Sequence, residues 1–360
     1  MKLTRRTLNR TALDRQLLLR RAQTTPLEAV RRLVAVQGQE IDAPYFGLWS
    51  RLAGFTQDDL SGLLYGRQVV RGSLLRGTQH LTAAADYLWL RPLMQATLSR
   101  TRQAAFGKAT GGVDLEELAA LARELLTGRT LTRPQLRDLL AARWPEVQPL
   151  ALGWSAQALL PLVHTPPNGI WGTGGATPFT LAEEWIGAPL AAELAVERMI
   201  ERYLAAFGPA GVKDIQVWSG LTRLREVVER MPLRRYTDEN GRPLYDLPEA
   251  ELVPEDAPAP VRFLPWFDNL VLAYDDRSRM MTDEHRKVVC VGAVTNPVIL
   301  VDGFVAGMWW LTGEGLEIRP FRELPAAVMA EVMAEAGRML AFAGRPEAEI
   351  RVTAEGAVAR

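Results

Sequence analysis

Two glutamines, Gln37 and Gln39, stand two positions apart in the segment LVAVQGQEI, with Gly38 between them and Glu40 after them. A primary amide carries two donor hydrogens and an accepting oxygen, so a glutamine beside a hydrophobic core is costly unless both ends find partners. Amides can orient a bound molecule by hydrogen bonding, but they are too weak as bases to ionise water. Taken alone, the pair is most simply interpreted as a cap on the C-terminus of the preceding apolar helix.

Other residue types that carry chemistry form no recognisable site in this sequence. The histidines His80, His164 and His285 are scattered and lack cysteine partners, so we expect no metal site. GxxxxGK[ST] and GxSxG motifs are missing, as is the HxE with PCxxC pattern of the zinc deaminases. The glycine-rich WGTGGATP is typical of a wing tip rather than a phosphate-binding loop, and Cys290 is expected to be a buried structural thiol.

The charge composition is balanced, but its cations are almost all arginine. Lysine plus arginine and aspartate plus glutamate each total 42, and the only lysines are Lys2, Lys108, Lys213 and Lys287. Arginine suits bidentate contacts with phosphates and bases, although a GC-rich genome also replaces lysine by arginine. A net charge of zero argues against strong non-specific binding to polyanions and leaves room for a local basic groove.

Cysteine usage and apolar runs predict a cytosolic protein that does not associate with membranes. The single cysteine excludes an internal disulfide framework, as expected in a reducing compartment. The N-terminal MKLTRRTLNR lacks the apolar region of a signal peptide, and no apolar run approaches the length of a membrane span.

Residues 1–95 predict the order helix, helix, helix, strand, strand, helix. In TTPLEAVRRLVAV, Thr25 and Glu28 form a capping box and Pro26 occupies the first helical position. Helices are also predicted in YFGLWSRL and TQDDLSGLLY, while QVVRGSLLRGTQHLTA predicts two strands joined by a tight turn. These are the elements that must position the two glutamines.

The same order recurs twice further along the chain. Helices are predicted at 115–126, at 132–143 and in SAQALLPLV, followed by a short two-stranded wing in NGIWGTGGATPFT. A third copy starts near residue 191 and closes with a hairpin that turns at Asn240-Gly241. Two helices joined by a glycine-containing turn and followed by a hairpin are typical of a winged helix-turn-helix.

The sequence therefore predicts an α+β fold with three tandem winged helix-turn-helix units and a C-terminal β-rich, barrel-like domain. The predicted units are residues 1–105, 106–187 and 188–247, followed by the C-terminal domain at 248–360. The segment LPEAELVPEDAPAP, at about 247–260, is predicted to be a linker that leads into the C-terminal domain. Strands are then predicted in VRFLPWFDNLVLAY, KVVCVGAVTNPVILVDGFVAGMWWL, GLEIRPF and EIRVT, with one helix at about 325–343.

Five segments together resemble the bacterial winged-helix DNA glycosylases, the family of the alkylpurine glycosylase that confers self-resistance to azinomycin. The segments are LVAVQGQEIDAPYFGLWSRL, LLRGTQHL, GPAGVKDIQVWSGL, RFLPWFDNLVLAYDDRSRMMTDEHR and VILVDGFVAGMW. They keep the family's order and cover nearly the whole chain. The resemblance implies a concave DNA-binding channel and a catalytic motif of glutamine, an aliphatic residue and glutamine, with aspartate as the second member in one branch.

By this resemblance, Gln37 and Gln39 are the catalytic pair of the Gln-x-Gln branch, and Gly38 departs from the usual aliphatic residue. The implied reaction is monofunctional hydrolysis of the N-glycosidic bond of cationic N7- or N3-alkylated purines, with bulky adducts and interstrand crosslinks left open as substrates. A cationic purine needs little protonation to leave, so the amides need only hold water in line. No lysine lies near the motif, so no β-lyase step is expected.

The resemblance also implies the partners of the protein. The expected partner is double-stranded DNA with alkylated purines, no cofactor is implied, and we expect a monomer in the cytoplasm, associated with the nucleoid. The alternative is a non-catalytic winged-helix DNA-binding protein or transcriptional regulator. A dimeric regulator usually has one reading helix per subunit, so three units in one chain favour wrapping a lesion over reading half-sites.

Several further side chains are candidates for DNA contact because they lie in predicted wings, helices or basic turns. They are Arg76, Thr78, His80, Arg223, Arg225, Arg234, Arg235, Arg277 and Arg279. Structural alternatives stay open for each: a hydrogen-bonded turn, solvated helix arginines, or ion pairs of the last two with Asp275 and Asp276. Trp309 and Trp310 could stack on bases, although strand alternation predicts that at least one lies in the core.

Overall fold

The computed structural model describes residues 1–353 as a mixed α/β fold. Its helices are α1 (Arg5–Arg15), α2 (Pro26–Arg32), α3 (Ala43–Trp49), α4 (Gln57–Tyr65), α5 (Ala84–Phe106), α6 (Leu115–Leu126), α7 (Arg133–Ala141), α8 (Pro149–Leu159), α9 (Ala182–Ile186), α10 (Val196–Phe207), α11 (Val212–Ser219), α12 (Arg225–Arg230), α13 (Asn269–Leu272), α14 (Asp283–Val289) and α15 (Ala326–Phe342). Within the described residues, no helix is both long enough and apolar enough to cross a bilayer.

The strands are short and most of them pair antiparallel. They are β1 (Val36–Gln37), β2 (Val69–Ser73), β3 (Gln79–Ala83), β4 (Leu131–Thr132), β5 (Leu162–His164), β6 (Pro178–Leu181), β7 (Arg234–Thr237), β8 (Pro243–Asp246), β9 (Arg262–Leu264), β10 (Cys290–Val291), β11 (Val294–Thr295), β12 (Val298–Val301), β13 (Phe304–Leu311), β14 (Gly315–Pro320) and β15 (Glu349–Val352).

Local capping signals set several helix ends where the sequence predicts them. In front of α2, the Thr25 hydroxyl accepts from the Glu28 amide at 3.2 Å and the Glu28 carboxylate accepts from the Thr25 amide at 3.2 Å, which is the predicted capping box. Thr132 and Gln135 form the same reciprocal pair before α7. Helix α6 matches the predicted bounds 115–126.

One six-stranded sheet joins the first two predicted units. Its strand order is β1-β3-β2-β5-β6-β4, with Arg71 of β2 opposite His164 of β5 and Gly72 opposite Val163. The wing predicted within NGIWGTGGATPFT differs from the structure, because only β6 overlaps the end of this segment and its partner β5 precedes it. The two hairpins therefore form a continuous surface instead of two separate wings.

Most of the remaining strands form the predicted third hairpin and a separate C-terminal sheet. Strands β7 and β8 pair as a hairpin, and Gly241 takes a φ of 78° in the predicted turn. The C-terminal sheet is open, with order β15-β14-β13-β12-β9 and a parallel β14–β15 pair. Because β9 and β15 are its unpaired edges, the predicted barrel-like closure is not confirmed, and the three winged-helix units stay a prediction.

Two segments predicted as strands are helical because local caps outweigh their apolar composition. Helix α14 covers the start of KVVCVGAV, where the Thr282 hydroxyl accepts from the His285 amide at 3.2 Å. In VRFLPWFDNLVLAY only β9 is a strand, and the Asp268 carboxylate accepts from the Leu270 amide at 2.9 Å to begin α13. Acidic residues in the first turn of α14 add favourable interactions with the helix dipole.

Buried ion pairs and aromatic packing connect the N-terminal and C-terminal parts. Arg15 pairs with Asp246 at 2.7 Å, and Arg51 pairs with Asp268 at 2.8 Å. Trp309 is 2% exposed and its Nε1 donates to the Leu264 carbonyl at 2.9 Å, so it is the core member of the tryptophan pair. These contacts place the C-terminal sheet directly behind helix α3, next to the glutamine motif.

Candidate active site

The two glutamines lie at the edge of the six-stranded sheet rather than at a helix end. Helix α2 ends at Arg32, and β1 is the outermost strand of the sheet. In its pairing with β3, Val36 lies opposite Leu81 and Gln37 lies opposite His80. The interpretation of the glutamines as a helix C-cap is therefore wrong.

The two amides have different surroundings. Gln37 is 4% exposed, its Nε2 donates to the Thr78 hydroxyl at 3.3 Å, and its Oε1 accepts from the Gly38 amide at 3.2 Å. Gln39 is exposed, and its Oε1 has one long contact, 3.5 Å from the Gln79 amide. All three distances lie at or beyond the long end of the hydrogen-bond range, so these contacts hold the two amides only weakly.

A cavity of about 600 Å³ opens beside Gln39. Its lining combines amides, aromatic rings and charged groups. The residues that concern the chemistry are Gln39, Glu40, Asp42, Phe46, Arg71, Gln79, Arg133, Trp154, His164, Asn168, Trp266 and Trp309. Burial raises the pKa of the Asp42 carboxyl, and the hydrogen bond from the Gly172 amide at 2.9 Å partly offsets that rise.

A second, much smaller cavity borders Gln37. Its volume is about 10 Å³, close to the minimum that one water molecule occupies. It shares Ala43 and Trp266 with the large cavity, so the two glutamines face neighbouring spaces across a common wall. A water held in the small space would lie beside the Gln37 amide.

Two backbone hydrogen bonds and the close packing of Leu81 hold Gly38 in place. Its amide donates to the Gln79 carbonyl at 2.9 Å, and its carbonyl accepts from Nε of Arg71 at 2.9 Å. A Cβ at this position would lie 2.6 Å from Cδ1 of Leu81, which is itself only 2% exposed. Leu81 therefore fills the space that an aliphatic side chain at position 38 would need.

Three candidates for DNA contact from the first predicted wing are instead engaged within the protein. Burial and the positive charge of Arg76 lower the pKa of His80 to about 3, and its Nδ1 lies 3.0 Å from the Thr78 carbonyl. Thr78 contacts Gln37 as described above. Arg76 donates to the Trp218 carbonyl at 2.6 Å, and burial lowers its pKa to about 10. The contacts of His80 and Arg76 thus fit structural roles within the protein rather than contacts with DNA. Thr78 is hydrogen-bonded to the motif residue Gln37.

The basic candidates of the third predicted unit are exposed. Arg223, Arg234 and Arg235 are open to solvent, and Arg225 forms a surface ion pair with Glu229 at 3.3 Å. None of them lines the cavity beside Gln39. They are accessible to a phosphate, but the structure does not bring them to the motif.

Arg277 and Arg279 were candidates for DNA contact, with ion pairs to Asp275 and Asp276 as the alternative; the structure holds both arginines by other contacts within the protein. Arg279 is 4% exposed, donates to the Pro209 carbonyl at 2.9 Å and stacks over Tyr274. Arg277 contacts the Cys290 sulfur at 2.9 Å. Asp275 pairs with Lys213 at 3.0 Å, and Asp276 pairs with Arg242. The burial of Arg279 leaves its guanidinium unavailable to DNA in this structure.

Sequence reasoning missed the residues that complete the cavity. Arg71, Asn168 and Trp266 reach it from β2, from the segment after β5 and from the segment after β9. The sequence did contain a signal for Arg71. A charged residue in the apolar run VVRGS is costly to bury, and that cost indicates a functional or structural role for the side chain. Neither Asn168 nor Trp266 has a comparable local signal.

Comparison with known families identifies the class of protein as a DNA glycosylase. The family model described as DNA glycosylase AlkZ-like matches residues 30–342, which include the glutamine motif and most of the chain. The protein therefore belongs to the AlkZ-like DNA glycosylase family. This assignment argues against the alternative of a non-catalytic regulator.

Two comparisons with individual proteins agree with the family. The Interstrand DNA cross-link repair glycosylase of Streptomyces sahachiroi is 26% identical over 366 residues, covering 94% of this chain and 96% of the relative. The solved structure of Streptomyces sahachiroi DNA glycosylase AlkZ matches with a TM-score of 0.83 at 24% identity, covering 98% of this chain and 100% of that one. The structural match establishes that the two proteins share a fold.

We expect Gly38→Ala to slow base excision about tenfold, because the added Cβ must displace Leu81 or shift the motif, and small misplacements at a reacting centre are costly. The second-site change Leu81→Val removes the clashing Cδ1 and should restore the rate in the double variant. Gly62→Ala is the matched control, since a Cβ there meets nothing within 4 Å. The single-turnover rate of base excision is measured for the wild type, Gly38→Ala, the double variant and Gly62→Ala. A wild-type rate in Gly38→Ala would contradict the expectation.

Proposed function

We propose that the protein hydrolyses the N-glycosidic bond of cationic N7- or N3-alkylated purines in double-stranded DNA, with the attacking water positioned by Gln37 and Gln39. Bulky adducts and interstrand crosslinks belong to the proposed substrate range, because the relative from Streptomyces sahachiroi is named for crosslink repair. The protein is proposed to act as a monomer that surrounds the duplex with its winged-helix units, in the cytoplasm at the nucleoid.

The observation that carries this proposal is the position of the two amides beside two neighbouring cavities. Gln39 borders a space large enough for a nucleobase, while Gln37 borders a space of about one water across the wall formed by Ala43 and Trp266. A water beside Gln37 and a sugar in front of Gln39 would then be neighbours. The motif itself is fixed by β3 and by Arg71.

The chemistry of the substrate explains why amides suffice. Alkylation at N7 or N3 places a positive charge on the purine, so the leaving base needs little help from a general acid. The remaining task is to hold a water in line with C1′ by hydrogen bonds, which an amide oxygen can accept. Glu40 and Asp42 border the same cavity as Arg71 and Arg133, so the lining offers carboxylates to a cationic base and an oxocarbenium-like sugar as well as cations to the DNA backbone.

The decisive experiment measures release of 7-methylguanine from alkylated duplex DNA by the wild type and by the Gln37→Ala/Gln39→Ala variant. We expect the variant to lose about 100-fold in single-turnover rate because the water is no longer oriented, while DNA binding persists. Gln23→Ala/Gln68→Ala is the matched control, since both residues are exposed and neither borders the cavity.

A neutral lesion and the product strand complete the test. Uracil should not be released, since a neutral base leaves poorly without an acid. The abasic strand should stay intact, because no lysine lines the cavity within residues 1–353. A wild type that releases no alkylated purine, or a double variant with the wild-type rate, would refute the assignment of the glutamines.

A further inference from the structure

Arg71 is a buried cation in the middle of β2. It is 5% exposed, its Nε donates to the Gly38 carbonyl at 2.9 Å, and its Nη1 donates to Asn168 Oδ1 at 2.7 Å and contacts Nδ1 of His164. One guanidinium therefore ties the residue between the two motif glutamines to β5 and the segment after it. A shift of this side chain would be felt at Gln39 through the Gly38 carbonyl.

No carboxylate within residues 1–353 is hydrogen-bonded to the Arg71 guanidinium. Burial lowers its pKa to about 10, so the side chain is still a cation at neutral pH. Its three hydrogen-bonded partners within residues 1–353 are a backbone carbonyl, a neutral amide and His164, whose pKa burial holds well below its usual value. The other charged groups lining the cavity are Glu40, Asp42 and Arg133. A buried cation in this situation favours an anionic ligand.

One nitrogen of this guanidinium is available for such a ligand. Nη2 makes no hydrogen bond to any residue from 1 to 353. It is also not one of the side-chain nitrogen and oxygen atoms that are both fully buried and without a hydrogen-bond partner. Arg71 and Gln39 line the same cavity of about 600 Å³. A strand that brings its sugar to Gln39 therefore brings a phosphate group into the same space.

We propose that Nη2 of Arg71 binds a backbone phosphate next to the damaged nucleotide, while Nε and Nη1 hold the motif through Gly38. Arg71 is thus a DNA-binding residue and, toward Gln39, a positioning residue. The planar fork of a guanidinium can serve both contacts at once, which an ammonium group cannot. The inference rests on the proposed function, because it assigns a phosphate to the cavity in which excision is proposed to occur.

Two substitutions of Arg71 separate the phosphate contact from the positioning contact. Arg71→Gln should reduce the slope of log affinity against log salt by about 0.9, because one phosphate contact is lost. It should also slow single-turnover excision of 7-methylguanine about tenfold or more. Arg71→Lys should keep the salt slope, since the charge is kept, and still lose the rate. Thermal unfolding checks that both variants fold.

The matched control is Arg67→Gln in the segment before β2. Arg67 is exposed, stacks over Trp185 at 4.2 Å and does not line the cavity, so its loss should leave the rate unchanged. A second arm leaves the protein intact and replaces single phosphates beside the lesion by neutral methylphosphonate. One such position should slow the wild type and should slow Arg71→Gln no further.

An unchanged salt slope in Arg71→Gln, a wild-type rate in Arg71→Lys, or the absence of any sensitive phosphate beside the lesion overturns the proposal. These results are distinguishable from failure of the proposed function. If the wild type releases no alkylated purine, the glycosylase chemistry proposed for the cavity fails. The salt slopes of wild type and Arg71→Gln would still decide whether Arg71 binds a phosphate.

Discussion

Asp268→Ala is expected to lower the free energy of unfolding by about 3–5 kcal/mol, because it leaves the Arg51 guanidinium buried and unpaired. The side chains of Arg51 and Asp268 are 3% and 4% exposed, and two hydrogen bonds of 2.8 and 2.9 Å join them. Asp268 also caps α13 through the Leu270 amide, which adds to the loss. Urea denaturation followed by tryptophan fluorescence measures the change.

Two further variants identify the cause of that loss. Arg51→Met/Asp268→Ala removes both charges, so it should recover much of the stability lost in the single variant. Asp138→Ala breaks a surface ion pair with Arg137, in which the Arg137 side chain is 35% exposed and the Asp138 side chain 65% exposed. This change should not measurably alter the free energy of unfolding. A single variant as stable as the wild type would mean that Arg51 finds water or another partner when Asp268 is lost.

Acidification below pH 6.5 is expected to destabilise the fold through His80 and His164. Burial lowers the pKa of His80 to about 3 and that of His164 well below its usual value, and Arg76 and Arg71 act in the same direction. In the unfolded chain each imidazole binds a proton near pH 6.5, while in the fold it stays neutral. The unfolded state thus binds more protons, and the free energy of unfolding falls as pH falls.

The expected slope is about 1.4 kcal/mol per pH unit for each histidine once the pH is well below 6.5. For His80 this loss continues down to about pH 3 and vanishes above pH 7. Urea denaturation between pH 7 and 4.5 measures the slope, and His80→Asn should remove about half of it. His285→Asn, at a partly exposed position, is the matched control. Equal slopes in all three proteins would contradict the assignment.

The elements that could be predicted from sequence are those with local signals. The capping box at Thr25 and the turn at Asn240-Gly241 each lie within a few residues, and both elements form where expected. The pairing of β2 with β5 has no such signal, because the two strands are separated in sequence by helices α5 to α8. Helix α14 shows the converse, since its Thr282 cap prevailed over an apolar composition typical of a strand.

The candidate site was predictable only through the resemblance to the glycosylase family. Without it, the glutamines were best explained as a helix cap, because nothing local indicates that α2 ends at Arg32 and that a strand follows. Side-chain burial is the property that was predicted least accurately from the sequence. His80 and Arg279 were candidates for DNA contact, yet both are enclosed by residues far away in the chain. The same distance hides the partners of Arg71, which come from β5 and the loop after it.

The sheet that unites β2 with β5 limits how this protein can be divided or recombined. A fragment that stops near residue 105 would leave the β2 edge at Arg71 and Gly72 unpaired, and exposed strand edges promote aggregation. A crossover between homologues placed there would combine two halves of one sheet that never packed together. A cut after residue 187 keeps all six strands in one piece, but it separates the glutamine motif from Trp266 and Trp309, which line the cavity from the C-terminal side.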